Sequence, residues 1–72
     1  SKPINDNQYS ALIDFVYNLG AGTLQRSTLR QKINRGEYEE AAPEFLKYVF
    51  AGGIKLAGLM RRRQAEYNLF IS

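Results

Sequence analysis

Neither cysteine nor histidine occurs among the 72 residues. Without cysteine no disulfide can staple the fold, and no thiolate can serve as nucleophile or metal ligand. Without histidine the usual general base for a serine nucleophile is gone, as is the commonest transition-metal ligand. A Ser-His-Asp or Cys-His centre is therefore excluded, the residue set argues against zinc, and no cofactor is expected. Carboxylates, lysine, tyrosine and hydroxyls are what remains for catalysis. Long apolar runs are missing too: none approaches the ~20 residues of a membrane span. The polar start, SKPINDNQ, has no apolar stretch of the signal-peptide kind. The first residue is Ser rather than Met, which suits a piece of a longer protein.

What is present is a small basic chain, with net charge +3 and a pI near 9.5. Its length suits one domain with a modest core and marginal stability. The positive balance fits an anionic partner, whether nucleic acid, an acidic membrane or an anionic polysaccharide, and selects none of them. Glycines divide the chain at Gly20 and Gly22, at Gly36, at Gly52–Gly53 and at Gly58. Between them apolar residues recur at helical spacing, with no sustained strand-like alternation.

The spacing predicts a helix over residues 5–19, with Asn5 as cap and Gln8 in the capping-box position. Its expected apolar stripe is Tyr9, Leu12, Ile13, Val16 and Leu19, and its expected left-handed terminator is Gly20. Thr23 is a candidate cap for a single turn. Ser27 is a candidate cap for a helix over 28–35, with Leu29 and Ile33 on one face and Gly36 ending it. A third segment, 38–49, has Glu39, Glu40 and Glu44 towards its start, which suits the helix dipole. Tyr38, Ala42, Phe45, Leu46 and Val49 form its apolar face. Pro43 would forfeit a hydrogen bond in a regular helix interior unless a 3₁₀ turn or a late start accommodates it. The last helix, from 57 or 58 to about 70, has Leu59, Met60, Arg63, Tyr67 and Phe70 along one stripe, so the stem of Arg63 is expected to pack inward. Arg62 and Glu66 are placed as a surface pair. The expected fold class is all-α: a small bundle of four to five short helices in a single domain over residues 1–72.

The run Arg61-Arg62-Arg63 invites a nucleic-acid reading. Successive helical residues are about 100° apart around the axis, so three in a row cannot face one ligand. Nor is there a scaffold helix joined by a short turn, as a DNA-reading helix requires. A solvated basic face with one packed arginine is the simpler account. The carboxylates Asp6, Asp14, Glu37, Glu39, Glu40, Glu44 and Glu66 read as capping and dipole groups, and none is expected in an apolar pocket with a raised pKa. The helix end Phe15-Val16-Tyr17-Asn18-Leu19-Gly20 places an amide and a phenol beside a glycine turn, groups suited to a sugar. Pattern alone leaves a sugar contact and a merely solvated helix end both open.

Taken in order, NQYSALIDFVYNLGAG, STLRQKINRGEYEEAAPEFLKYVFAGG and LAGLMRRRQAEYNLF resemble the C-terminal lobe of phage-type lysozymes, the muramidases and endolysins of glycoside hydrolase family 24. The resemblance covers essentially the whole chain. It departs at Tyr48, where Trp is usual, at Ala57, where Pro is common, and at Phe50, where a polar residue is frequent. In the family an E-x₈-[DC]-x₅-T pattern in the N-terminal lobe carries the catalytic groups. Here both aspartates precede every glutamate, so that pattern has no counterpart.

The resemblance thus implies a helical lobe whose catalytic partner lobe lies outside these residues, with no catalytic residue of its own. The parent protein would cleave the β-1,4 bond between N-acetylmuramic acid and N-acetylglucosamine. It would be made in the bacterial host cytoplasm and act on the periplasmic cell wall. The lobe would be inactive alone and would form one wall of the glycan cleft. The positions it assigns to the peptidoglycan strand are Tyr17 and Asn18, Ser27 and Thr28, and Glu44. Arg26, their neighbour, is suited to a lactyl or peptide carboxylate. An exposed cleft wall is expected to favour self-association. A nucleic-acid-binding module and a stand-alone interaction domain are the alternatives from other classes.

Overall fold

The chain enters its first helix through Asn5. Its side chain accepts from the Gln8 backbone N–H at 2.8 Å while Gln8 Oε1 accepts from the Asn5 N–H at 2.9 Å, a complete capping box. The computed structural model describes residues 3–72. The elements are α1 (Asp6–Leu19), α2 (Ala21–Gln25), α3 (Thr28–Asn34), α4 (Tyr38–Ala41), a 3₁₀ helix (Ala42–Lys47), the strands β1 (Phe50–Ala51) and β2 (Ile54–Lys55), and α5 (Ala57–Ile71). The fold is all-α apart from that short ribbon.

Each helix boundary has a local cause. At Gly20 the chain has φ 93° and ψ 151°, with its N–H bonded to the Val16 carbonyl. The positive φ needs glycine, but the extended ψ is not the left-handed cap expected there; it swings the chain directly into α2. Thr23 does not cap a turn. It lies inside α2 and donates its hydroxyl to the Leu19 carbonyl at 2.9 Å, satisfying an orphan acceptor at the end of α1. Ser27 caps α3, accepting from the Arg30 N–H at 3.1 Å. α3 ends in a full Schellman motif: Gly36, at φ 74°, donates to Ile33, and the Glu37 N–H donates to the Lys32 carbonyl.

Pro43 marks where α geometry gives way to 3₁₀. The ladder reaches Ala42, whose N–H bonds the Tyr38 carbonyl, and Pro43 has no N–H for the next rung, so the α turn stops there. The regular helix over 38–49 is thus replaced by a four-residue α turn and a 3₁₀ helix. Leu46, expected on the apolar face, turns to solvent. The Gly52–Gly53 loop is a two-residue hairpin turn, with φ 58° and 80°, the type I′ signature. It pairs Phe50 with Lys55 and Ala51 with Ile54.

α1 and α5 run antiparallel. Asn7 Nδ2 donates to Ser72 Oγ at 2.9 Å, joining the start of one to the end of the other. The core between them and the 3₁₀ helix holds Ala11, Phe15, Leu29, Ala41, Ala42, Phe45 and Phe70. Phe15 meets Phe45 and Tyr48 edge-to-face at centroid distances of 5.6 and 5.1 Å, and Phe45 meets Phe70 at 5.2 Å. The stripe expected on α1 is therefore displaced. Ala11 and Phe15 face the core and Leu12 and Leu19 flank it, whereas Tyr9 and Ile13 are 59% and 50% exposed. α1 is apolar on two flanks, and the small Ala11 lets α5 approach on one of them. On α5, Met60 likewise faces solvent.

Candidate functional site

Tyr17 and Asn18 lie on the last turn of α1, and Arg26, Ser27 and Thr28 span the link from α2 to α3. The short helix α2 joins the two groups and packs on both α1 and α3. Tyr17 is 87% exposed. Arg26 and Thr28 are exposed as well. The Arg26 guanidinium folds back over Gly22, where a Cβ would meet its Nη1 at 3.2 Å. Asn18 is half-buried, and its Oδ1 is enclosed with no hydrogen-bond partner among the described residues. An enclosed amide oxygen without a donor is an acceptor still to be satisfied.

Two of the expected site residues have structural duties. Ser27 is buried, and its hydroxyl both accepts from Arg30 N–H and donates to the Leu24 carbonyl at 2.6 Å. Glu44 is also buried. Its Oε2 receives Lys47 Nζ at 2.9 Å and Lys32 Nζ at 3.4 Å. Burial alone would push its carboxyl up, but the bonds and charges of the two lysines outweigh that and hold it below the ordinary range. Lys32 is one turn further along α3 than Thr28, so Glu44 is tied to the far end of that helix.

The residue that sequence reasoning missed is Glu66. Its expected partner was Arg62 on the surface, and no carboxyl was expected to be perturbed. Instead Glu66 pairs with Arg63, and both are buried. Arg63 Nη2 donates to Oε2 at 2.8 Å, and Nε approaches Oε1 at 2.7 Å as an ion contact without hydrogen-bond alignment. The guanidinium lies over the Phe15 ring, with Cζ 5.4 Å from its centroid. Burial raises the Glu66 carboxyl to about 8; a hydrogen bond with Asp14 adds to the rise and Arg63 opposes it. The signal was in the sequence: Glu66 is three residues from Arg63, whose own position falls on the apolar stripe. Arg61 and Arg62 remain in solvent.

Fold and surface together define a small all-α unit with exposed side chains at the end of α1 and the start of α3, and an Arg63–Glu66 pair buried in its core. The chain matches the phage lysozyme family over residues 1–66, and it belongs to that family. It is 44% identical to an endolysin of Bacillus phage B103 over 96% of its own length and 26% of the relative's. It is 42% identical to an endolysin of Acyrthosiphon pisum secondary endosymbiont phage 1, over 97% and 51%. A SAR-endolysin of Escherichia phage Mu is 41% identical, over 94% and 40%. The chain therefore spans about a quarter to a half of the length of these relatives. No helix among the described residues is long and apolar enough to cross a membrane.

Proposed function

We propose that this chain is the helical lobe of a peptidoglycan-cleaving phage endolysin, and that it supplies a wall of the glycan cleft rather than the catalytic groups. The observation that carries the reading is the family match over nearly the whole chain, on a sequence in which no glutamate precedes an aspartate. Cleavage of a glycosidic bond needs one carboxylic acid to protonate the leaving oxygen and a second carboxyl beside the anomeric carbon. Burial pushes the Glu66 carboxyl up, as a general acid requires, but Glu66 is 2% exposed and hydrogen-bonded inward to Arg63, so no sugar reaches it. The bond cleaved by the parent enzyme is the β-1,4 linkage between N-acetylmuramic acid and N-acetylglucosamine. The parent is made in the host cytoplasm and acts at the periplasmic cell wall.

In this reading Tyr17 offers an aromatic face, Asn18 and Thr28 offer hydrogen bonds, and Arg26 meets a lactyl or peptide carboxylate. Ser27 and Glu44 act behind them, fixing the start of α3 and its contact with the 3₁₀ helix. Nothing on the surface favours the nucleic-acid alternative over the wall. The test pairs two measurements on the 72-residue chain. Turbidity of a cell-wall suspension is expected to stay constant, while the chain co-sediments with insoluble peptidoglycan and Tyr17→Ala weakens that binding severalfold. Clearing of the suspension by the chain alone would refute the non-catalytic role. Failure to sediment with peptidoglycan would refute the cleft-wall role.

A further inference from the structure

The segment from Phe50 to Gly58 is exposed at every residue, yet it carries a single charge, Lys55. Phe50 and Ile54 are 58% and 65% exposed, and Leu56 and Met60 follow them into solvent. The hairpin register decides how these side chains are displayed. Directly paired residues of an antiparallel ribbon share a face. Phe50 pairs with Lys55 and Ala51 with Ile54, so Phe50 and Ile54 project from opposite faces. A rigid protein surface could cover one of those faces. A ribbon with a large apolar side chain on each face, Lys55 beside one of them, and two side-chain-free residues at its tip calls for a surrounding that closes around it.

Charge is segregated in the same place. From residue 45 to 65 there are five basic and no acidic side chains, whereas the rest of the chain has five basic and seven acidic. Arg63 is sealed in the core, which leaves Lys47, Lys55, Arg61 and Arg62 at the surface. Lys55 ends the ribbon, and the two arginines follow Leu56 by about one and a half turns of α5.

We infer that this hairpin is a wedge that docks the lobe on an anionic lipid bilayer. Phe50 and Ile54 enter the headgroup–acyl boundary, and Lys55, Arg61 and Arg62 meet the acidic headgroups. At ~3.3 Å per strand residue, a two-residue ribbon with its turn projects about as far as the ~5–10 Å depth of interfacial insertion. Nucleic acid would satisfy the cations but leave the apolar wedge in water. A bilayer with acidic headgroups satisfies both.

The test is co-sedimentation of the 72-residue chain with vesicles of phosphatidylcholine, alone or mixed with phosphatidylglycerol. Binding is expected to the mixed vesicles only, and to weaken as salt is added. Phe50→Ser with Ile54→Ser, and separately Lys55→Glu with Arg61→Glu, should each weaken partitioning by about tenfold or more. All four sites are exposed, so helicity should be unchanged by circular dichroism. Both variants should still sediment with peptidoglycan, which separates this inference from the cleft-wall role. No binding to the mixed vesicles would overturn the inference, and so would binding that survives loss of Phe50 and Ile54. A fall in lipid-free molar mass on sizing for the Phe50→Ser/Ile54→Ser variant would also overturn it, by making a second copy of the chain the occupant.

Discussion

Glu66 couples the stability of the chain to pH through a buried group. Its folded pKa is raised from the ordinary 4.5 to about 8, first by burial and then by Asp14, against the opposing pull of Arg63. Between those values the folded state holds a proton that the unfolded state has released. Stability should therefore be fully present below about pH 4.5 as far as this group is concerned. It should fall as pH rises through the window, with the loss complete above pH 8, by an amount on the order of a few kcal/mol. Urea denaturation at a series of pH values checks this. Glu66→Gln, which imitates the protonated acid, should flatten the profile while keeping the fold at neutral pH. An unchanged slope in that variant would show that Glu66 is ionised in the fold. Arg63→Ala is a harsher change, since it removes the cation, its contact with Phe15 and the packing of its stem. A loss of about 3–5 kcal/mol is expected, enough to unfold much of so small a domain at room temperature. Helicity by circular dichroism would show it.

At the scale of single elements, the α3 cap and the hairpin turn carry separable costs. Ser27→Ala removes the acceptor for Arg30 N–H and the donor to Leu24, and should destabilise by ~1 kcal/mol, read as a lower urea midpoint. Gly53→Ala places a Cβ at φ 80° with open space around it. Its cost, ~1 kcal/mol, is conformational rather than steric. The features behind these predictions differ in how readable they were. The capping box at Asn5, the Ser27 cap and the Gly36 stop are written in local residue types, and the sequence locates all three. Strands of two residues carry no periodicity, so the ribbon is hidden until Gly52 and Gly53 are read as a type I′ pair. Which flank of α1 faces inward is not local at all. Tyr9, Ile13 and Tyr17 make as good a stripe as Ala11 and Phe15, and the choice falls to the arrival of α5 with Arg63 and Glu66. The candidate site shows the same division. The exposed ends of α1 and α3 follow from helix boundaries, while the duties of Ser27 and Glu44 depend on partners that the fold supplies.

For the molecule as a whole, the second apolar flank of α1 is a surface that the fold leaves uncovered. Tyr9, Ile13 and Tyr17, spaced four residues apart, stand on successive turns of one face in solvent. The core beneath the opposite flank is small and has no disulfide to support it. No element among the described residues covers this flank. As it stands, the chain is expected to associate at high concentration through this stripe, driven by burial of apolar area. Tyr9→Ser with Ile13→Ser should lower the weight-average mass measured by sedimentation velocity. It should move stability by no more than about 0.5 kcal/mol, as expected for exposed sites. Tyr17 is left in place because it belongs to the proposed glycan wall, so peptidoglycan binding should survive. If the double variant instead unfolds, the two side chains stabilise the fold rather than an association surface. If its association matches that of the unaltered chain, the contact lies elsewhere, and the hairpin becomes the next surface to alter.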